Sequence, residues 1–232
     1  MKKKYFLLAL SFGGLTIGMI NGCKKDSPVN ITHIGTTIPF TEEFTDFYGL
    51  SGKGWVVKDN TGLNNSNAYA QWDQGLFGYD KGGVWYGFTA YSYTNFEGEF
   101  AYSSLSAEQA TQSISSWLIT PVLSVKNGDK ISFYARGDTT GVFTDRMQVL
   151  MNKSSSSNVG NSITSTGSFN TVLLDINSTQ APGGFPTTWT KYEYSFSGIS
   201  GNIDTRIAFR HFVKNPGNAR GVGIDQFKFE VN

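Results

Sequence analysis

The chain has one cysteine, Cys23, and two histidines, His33 and His211, among 232 residues. These shortages exclude much chemistry. A lone cysteine has no intrachain disulfide partner. Zinc needs three or four His or Cys ligands, and with Cys23 in a leader these are missing. A Ser-His-Asp site would have to use His211, because His33 precedes the first strand, and no Gly-x-Ser-x-Gly elbow presents a serine. His211 shares a strand face with Ile207 and Phe209, which is the placement of a structural histidine. Charge is also scarce: 19 Lys and Arg against 18 Asp and Glu leave a net +1. No basic stripe accompanies the aromatics, so nucleic acid is not an expected partner. Internal repeats at solenoid or propeller spacings are missing too.

What is present begins with a leader. Lys2, Lys3 and Lys4 form a positive start. Tyr5 to Ile20 is an apolar run too short for a confident membrane span. Ile20-Asn21-Gly22-Cys23 follows and resembles a bacterial lipobox. Cleavage before Cys23 would leave acyl chains on the new N-terminus, so the expected state is anchored rather than spanning. Lys24-Lys25-Asp26 is similar to the charged surface-export signals of bacterial lipoproteins. The expected division is a signal peptide at 1–22, a lipid-anchored tether at 23–37 and one folded domain at 38–232. The expected address is the outer membrane, facing the exterior.

The folded part reads as β throughout. Gly, Ser, Thr and Asn are plentiful, and aromatics make up 15%. Ile131, Phe133 and Ala135 alternate with Ser132, Tyr134 and Arg136, the pattern of a half-buried strand. Upstream, Trp117 to Val125 is apolar except around Pro121, which cannot donate to a ladder. Asn127-Gly128-Asp129 supplies a turn between the two, so a β-hairpin is expected here. Similar runs occur at 38–44, 54–57, 145–152, 169–176, 189–196, 206–213 and 222–231. About a dozen short strands with turns between them, and no helix long enough to cover a sheet, predict an all-β antiparallel jelly-roll sandwich. The expected core includes Leu118, Val122, Ile131, Phe133, Val149, Leu173, Phe209 and Phe227.

Several of these stretches carry a family resemblance. Trp117 to Arg136, Asp145 to Met151, Ser168 to Asn177, Pro186 to Gly201, Arg206 to Val213 and Gly223 to Phe229 occur in one order. Ahead of them stand Phe40-Thr41-Glu42-Glu43-Phe44, Gly54-Trp55 and Trp72-Asp73-Gln74-Gly75. Together they resemble the choice-of-anchor J domains of bacterial surface proteins, relatives of the cleaved-adhesin modules. Ala90-Tyr91-Ser92-Tyr93 departs from that pattern. The resemblance implies a surface-attached β-domain and no known activity.

The candidate sites are few. Trp85, Tyr86, Tyr91 and Tyr93 are the aromatics best suited to stack on a sugar ring or anchor a protein partner; their alternative is core packing. Glu97 and Glu99 alternate on a strand and could act as a glycan-cleaving pair; their alternative is a solvated edge. A purely structural surface module is the third reading. Arg136-Gly137-Asp138 spells an integrin-binding tripeptide but falls where Gly-Asp is ordinary turn chemistry. Asp145, Arg146, Asp204, Arg206 and Arg210 are expected in cross-strand ion pairs. Glu42 and Asp225 each occupy an apolar strand position by parity. A carboxylate buried there needs a cation or several donors. If the first and last strands are neighbours, the two could share a structural calcium, which takes hard oxygen ligands. The resemblance agrees, since both residues match its opening and closing motifs. The alternative is an arginine partner, Arg206 or Arg210.

Overall fold

The computed structural model describes residues 34–61, 71–75, 88–91, 98–104, 113–139, 141–214 and 218–232, with the backbone of 79–80 and 85–86. Residues 33–232 form one compact unit. Among the described residues it is built from strands: β1 Phe40–Glu42, β2 Val56–Asp59, β3 Trp72–Gln74, β4 Tyr79–Asp80, β5 Trp85–Tyr86, β6 Ala101–Ser104, β7 Ile114–Ile119, β8 Leu123–Val125, β9 Lys130–Gly137, β10 Met147–Asn152, β11 Thr171–Ile176, β12 Thr190–Ser195, β13 Ile203–Val213 and β14 Gly221–Glu230. One 3-10 helix, Tyr48–Lys53, follows β1. No described helix is long and apolar enough to cross a membrane.

Two antiparallel sheets make the jelly-roll sandwich. The first has the order β12-β9-β14-β6-β3, with β1 also on β14; the second has β11-β10-β13-β7-β2, with β8 also on β13. The first and last strands are neighbours, as expected, with Phe40 opposite Phe229 and Glu42 opposite Phe227. Strand alternation sends every second side chain inward. Ile131 and Phe133 of β9, Phe227 and Phe229 of β14, Leu118 of β7, Val149 of β10 and Phe209 of β13 meet in one core. Its centre is aromatic: Phe209 packs edge-on against Phe133 at 4.9 Å and Phe227 at 5.9 Å, and Phe227 against Trp55 at 5.4 Å.

Two expectations fail. The 117–136 stretch is no hairpin. β8 pairs with β13 in the second sheet, while β9 pairs with β12 and β14 in the first. Asn127-Gly128-Asp129 is therefore the corner where the chain changes sheet. Gly128 takes φ +92°, and its N–H donates to Phe196 O at 2.9 Å. The Asn127 side chain clips Ile199 with two bonds of 2.8 Å. The second failure is Val122, which is half-buried rather than in the core. Pro121 ends the ladder after β7, so inward-outward counting does not carry across it. Leu173 packs on the core while remaining partly exposed.

Candidate functional site

The outer face of the first sheet is set by a β-bulge in β14. Ile224 opposes Ala135 and Asp225 opposes Tyr134, but Lys228 opposes Ser132. Two residues of β14 thus face one of β9, and Gln226 takes φ +45°. A bulge adds one residue and reverses the alternation beyond it. Ile224 and Phe227, three apart, both enter the core. Asp225 turns to the other face, with Tyr134. The expected parity, which put Asp225 beside Phe227 and Phe229, is corrected by this bulge.

Residues 88–91 lie across that outer face. Phe88 stacks on Phe100 at 5.0 Å, and Arg136 stands 4.2 Å over its ring. A Cβ on Gly223 would stand 2.8 Å from the Phe88 ring, so the glycine permits this approach. Tyr91 stacks on Tyr134 with centroids 3.8 Å apart, and Tyr91 stays 38% exposed. Its N–H donates to Asp225 Oδ2 at 2.9 Å, and the Gln226 N–H donates to Oδ1 at 2.7 Å. Asp225 is buried all the same. Burial pushes its pKa up to about 8, helped by the charges of Glu43 and Glu99 and opposed by the two N–H donors.

Glu42 is on the other side. It faces the core side of Phe227 and is buried, with Lys53 Nζ 3.0 Å from both its oxygens. The partner is thus a lysine, not Arg206 or Arg210. Glu42 and Asp225 are not brought together, because the bulge places them on opposite faces of the sheet. The acidic residues bearing on Asp225 are Glu43 and Glu99. The Glu43 carboxyl is also pushed up, first by burial and then by Glu99 and Glu42, against Lys228 and a hydrogen bond from the Gln226 side chain. Its buried Oε2 has no hydrogen-bond partner. Among the described residues no three His, Cys, Asp or Glu side chains form a metal-ligand set. A calcium ion held here would use Glu43 and Asp225 with backbone carbonyls and water, the hard-oxygen shell it prefers. The orphaned Glu43 oxygen fits that demand.

A second constellation had no clear signal in the sequence. Ser103 Oγ lies 3.0 Å from His211 Nδ1, and His211 Nε2 lies 3.0 Å from Asp145 Oδ1. Asp145 also accepts from the Arg220 N–H at 3.0 and 3.1 Å. The order serine, histidine, aspartate is that of a hydrolase triad, but recognition of a triad requires the whole geometry. Ser103 and His211 are 0% exposed and Asp145 is 1%. Ser103 belongs to the first sheet and His211 to the second, so the chain of bonds ties the sheets together. No substrate carbonyl can reach this serine without parting them.

The remaining candidates are placed as follows. Trp85 and Tyr86 form β5, paired with β4. Cys23, His33, Tyr93 and Glu97 lie outside the described residues, and Glu99 is buried. Arg136 and Asp138 are turned into the fold rather than displayed: Arg136 is half-buried against Phe88, and Asp138 is 3% exposed. Of the strand charges, Arg146 pairs with Asp175 across two bonds of 2.8 and 2.5 Å. Arg206 instead donates to the carbonyls of Ser155, Gly54 and Thr120. Asp204 accepts the N–H groups of Ile34 and Gly35.

No family model matches the chain, and no curated protein matches it. Solved structures do. The K2 cleaved adhesin domain of Lys-gingipain aligns with a TM-score of 0.50 at 16% identity, over 84% of this chain and 100% of that one. The K3 cleaved adhesin domain of Lys-gingipain from Porphyromonas gingivalis gives 0.50 at 15%, over 82% and 98%. At such identity the likeness is one of fold: the chain shares the β-sandwich architecture of these domains.

Proposed function

We propose that the chain is a non-catalytic binding module of the choice-of-anchor J type, displayed at the cell surface on a lipid attached to Cys23. The observation that carries the reading is Tyr91, held on the outer face of the first sheet by Tyr134 and Asp225 while remaining exposed. A rigid aromatic of this kind binds sugar rings or protein anchors at low entropic cost. The sealed Ser103-His211-Asp145 chain supports binding over catalysis. Calcium at Glu43 and Asp225 would hold the floor beneath Tyr91.

Arrays of glycans and extracellular matrix proteins test the site. Tyr91→Ala is expected to weaken the captured ligand about tenfold, equivalent to roughly 1.4 kcal/mol. Unchanged affinity with an unchanged melting temperature would remove Tyr91 from the site. Fractionation tests the address separately. Cys23→Ser is expected to leave the membrane fraction, and external protease is expected to cut the wild-type domain on intact cells. Retention of the serine variant in membranes would refute the anchor, and protection from protease would refute the surface placement.

A further inference from the structure

The outer face of the second sheet carries a buried cation that meets no acid among the described residues. Across β11, β10, β13 and β7, register aligns Asp175, Gln148, Arg210 and Trp117 in one row. The link from β10 to β11 folds back over part of this face, packing Val159 and Phe169 on Trp117 and Leu150. Beside that cover is a cleft of about 350 Å³, with Arg146, Gln148, Arg210, Thr164, Thr166 and Lys214 among its lining.

Arg210 is 2% exposed. Its guanidinium is 4.6 Å from the Trp117 ring and 3.8 Å from that of Phe212. Its hydrogen bonds all go to neutral oxygens. Ser115 Oγ accepts two, at 3.1 and 3.0 Å, Gln148 Oε1 accepts one at 3.2 Å, and Ile163 O accepts another. One Nη1 hydrogen is left over by this count, since a guanidinium has five. The one carboxylate in the row, Asp175, is taken by Arg146 and Gln148. Burial, with the Arg146 charge beside it, pulls the Arg210 pKa down to about 9. Taking a charge out of water without a counter-ion is costly, and an anion in the cleft removes that cost. Lys214, exposed at the rim, adds to the positive field.

We infer that this cleft binds the carboxylate of an acidic sugar, with Arg210 as its buried anchor. The remaining Nη1 hydrogen can give a carboxylate one charge-assisted hydrogen bond. The threonine hydroxyls suit sugar hydroxyls, and Phe212 with the exposed Val172 supplies apolar wall. The volume lies within the usual range for small-ligand sites, roughly 300–1,000 Å³. This site is on the opposite sheet from Tyr91 and does not depend on binding there.

The test is calorimetric titration of the full-length protein in mild detergent. The probes are short oligosaccharides of galacturonate, glucuronate and N-acetylneuraminate, their methyl esters, and triglycine. At least one acidic sugar is expected to bind saturably, about tenfold or more tighter than its ester, and more weakly in high salt. Lys214→Glu, an exposed change, is expected to weaken it about tenfold at unchanged melting temperature. Arg210→Lys, which keeps a charge but loses the Nη1 donor held at this position, is expected to weaken it further; if that variant does not fold, the Lys214 variant decides. Absence of saturable binding by all three acids would overturn the proposal. So would esters binding as tightly as acids, indifference to Lys214→Glu, or triglycine binding as tightly as the best sugar.

Discussion

Truncating Phe133 to alanine is expected to cost the domain about 3–5 kcal/mol, the range for deleting a buried aromatic. Phe133 is fully buried. It stands on β9 of the first sheet, stacks on Tyr192 at 5.6 Å and meets Phe209 of the second sheet edge-on at 4.9 Å. Its removal opens a void where the sheets touch, and facing strands cannot close over it without shifting register. For a domain of this size each kcal/mol moves the melting temperature by about 2–4 °C. A drop of roughly 6–20 °C is therefore expected in calorimetry. A loss below about 1 kcal/mol would show that the sheets do not meet at this ring.

Asp225 carries the second large effect, and its size depends on calcium. Its folded pKa of about 8 lies far above the ordinary carboxylate range. The folded protein therefore keeps a proton that the unfolded chain gives up. Stability from this group is greatest below about pH 4 and falls as pH rises toward 8. That slope is expected in chelator. A cation shared by Asp225 and Glu43 stabilises the charged form and flattens it. Calcium at about a hundredfold over its dissociation constant is expected to add roughly 2.7 kcal/mol. The gain should be largest near pH 8 and vanish near pH 4. Asp225→Asn removes both the slope and the calcium response. A wild-type melting temperature at pH 8 that ignores calcium, after verified metal removal, would rule out the ion.

Much of the fold was legible from the chain. Alternation in β9 correctly placed Ile131 and Phe133 inside, and the apolar runs located most strands of the sandwich. The first and last strands are neighbours, as the parity of Glu42 and the closing motif suggest. What escaped were features that local pattern does not encode. Asn-Gly turns serve hairpins and sheet-to-sheet corners alike, and only the partners of β8 and β9 tell them apart. The bulge at Gln226 left no glycine to mark its positive φ, so parity ran one residue too far and put Asp225 with the core. Counted through without the bulge, Asp225 meets Glu42; in the structure the carboxylate charges acting on it are those of Glu43 and Glu99. The Ser103-His211-Asp145 chain joins residues up to 108 apart, and no spacing rule connects them. Arg210 read as one more strand charge because its isolation from acid is a property of cross-strand neighbours and of the cover at 153–170.

The central claim is that this sandwich binds and does not cleave. Its most direct test is to follow binding and product release in one sample, with the full-length protein against a glycan panel and simple carboxylic esters. The account predicts saturable binding of a glycan or protein ligand, no product above the blank, and the same result for folded Ser103→Ala. Turnover by the wild type that is abolished in Ser103→Ala or Glu99→Gln, with binding retained, would contradict it.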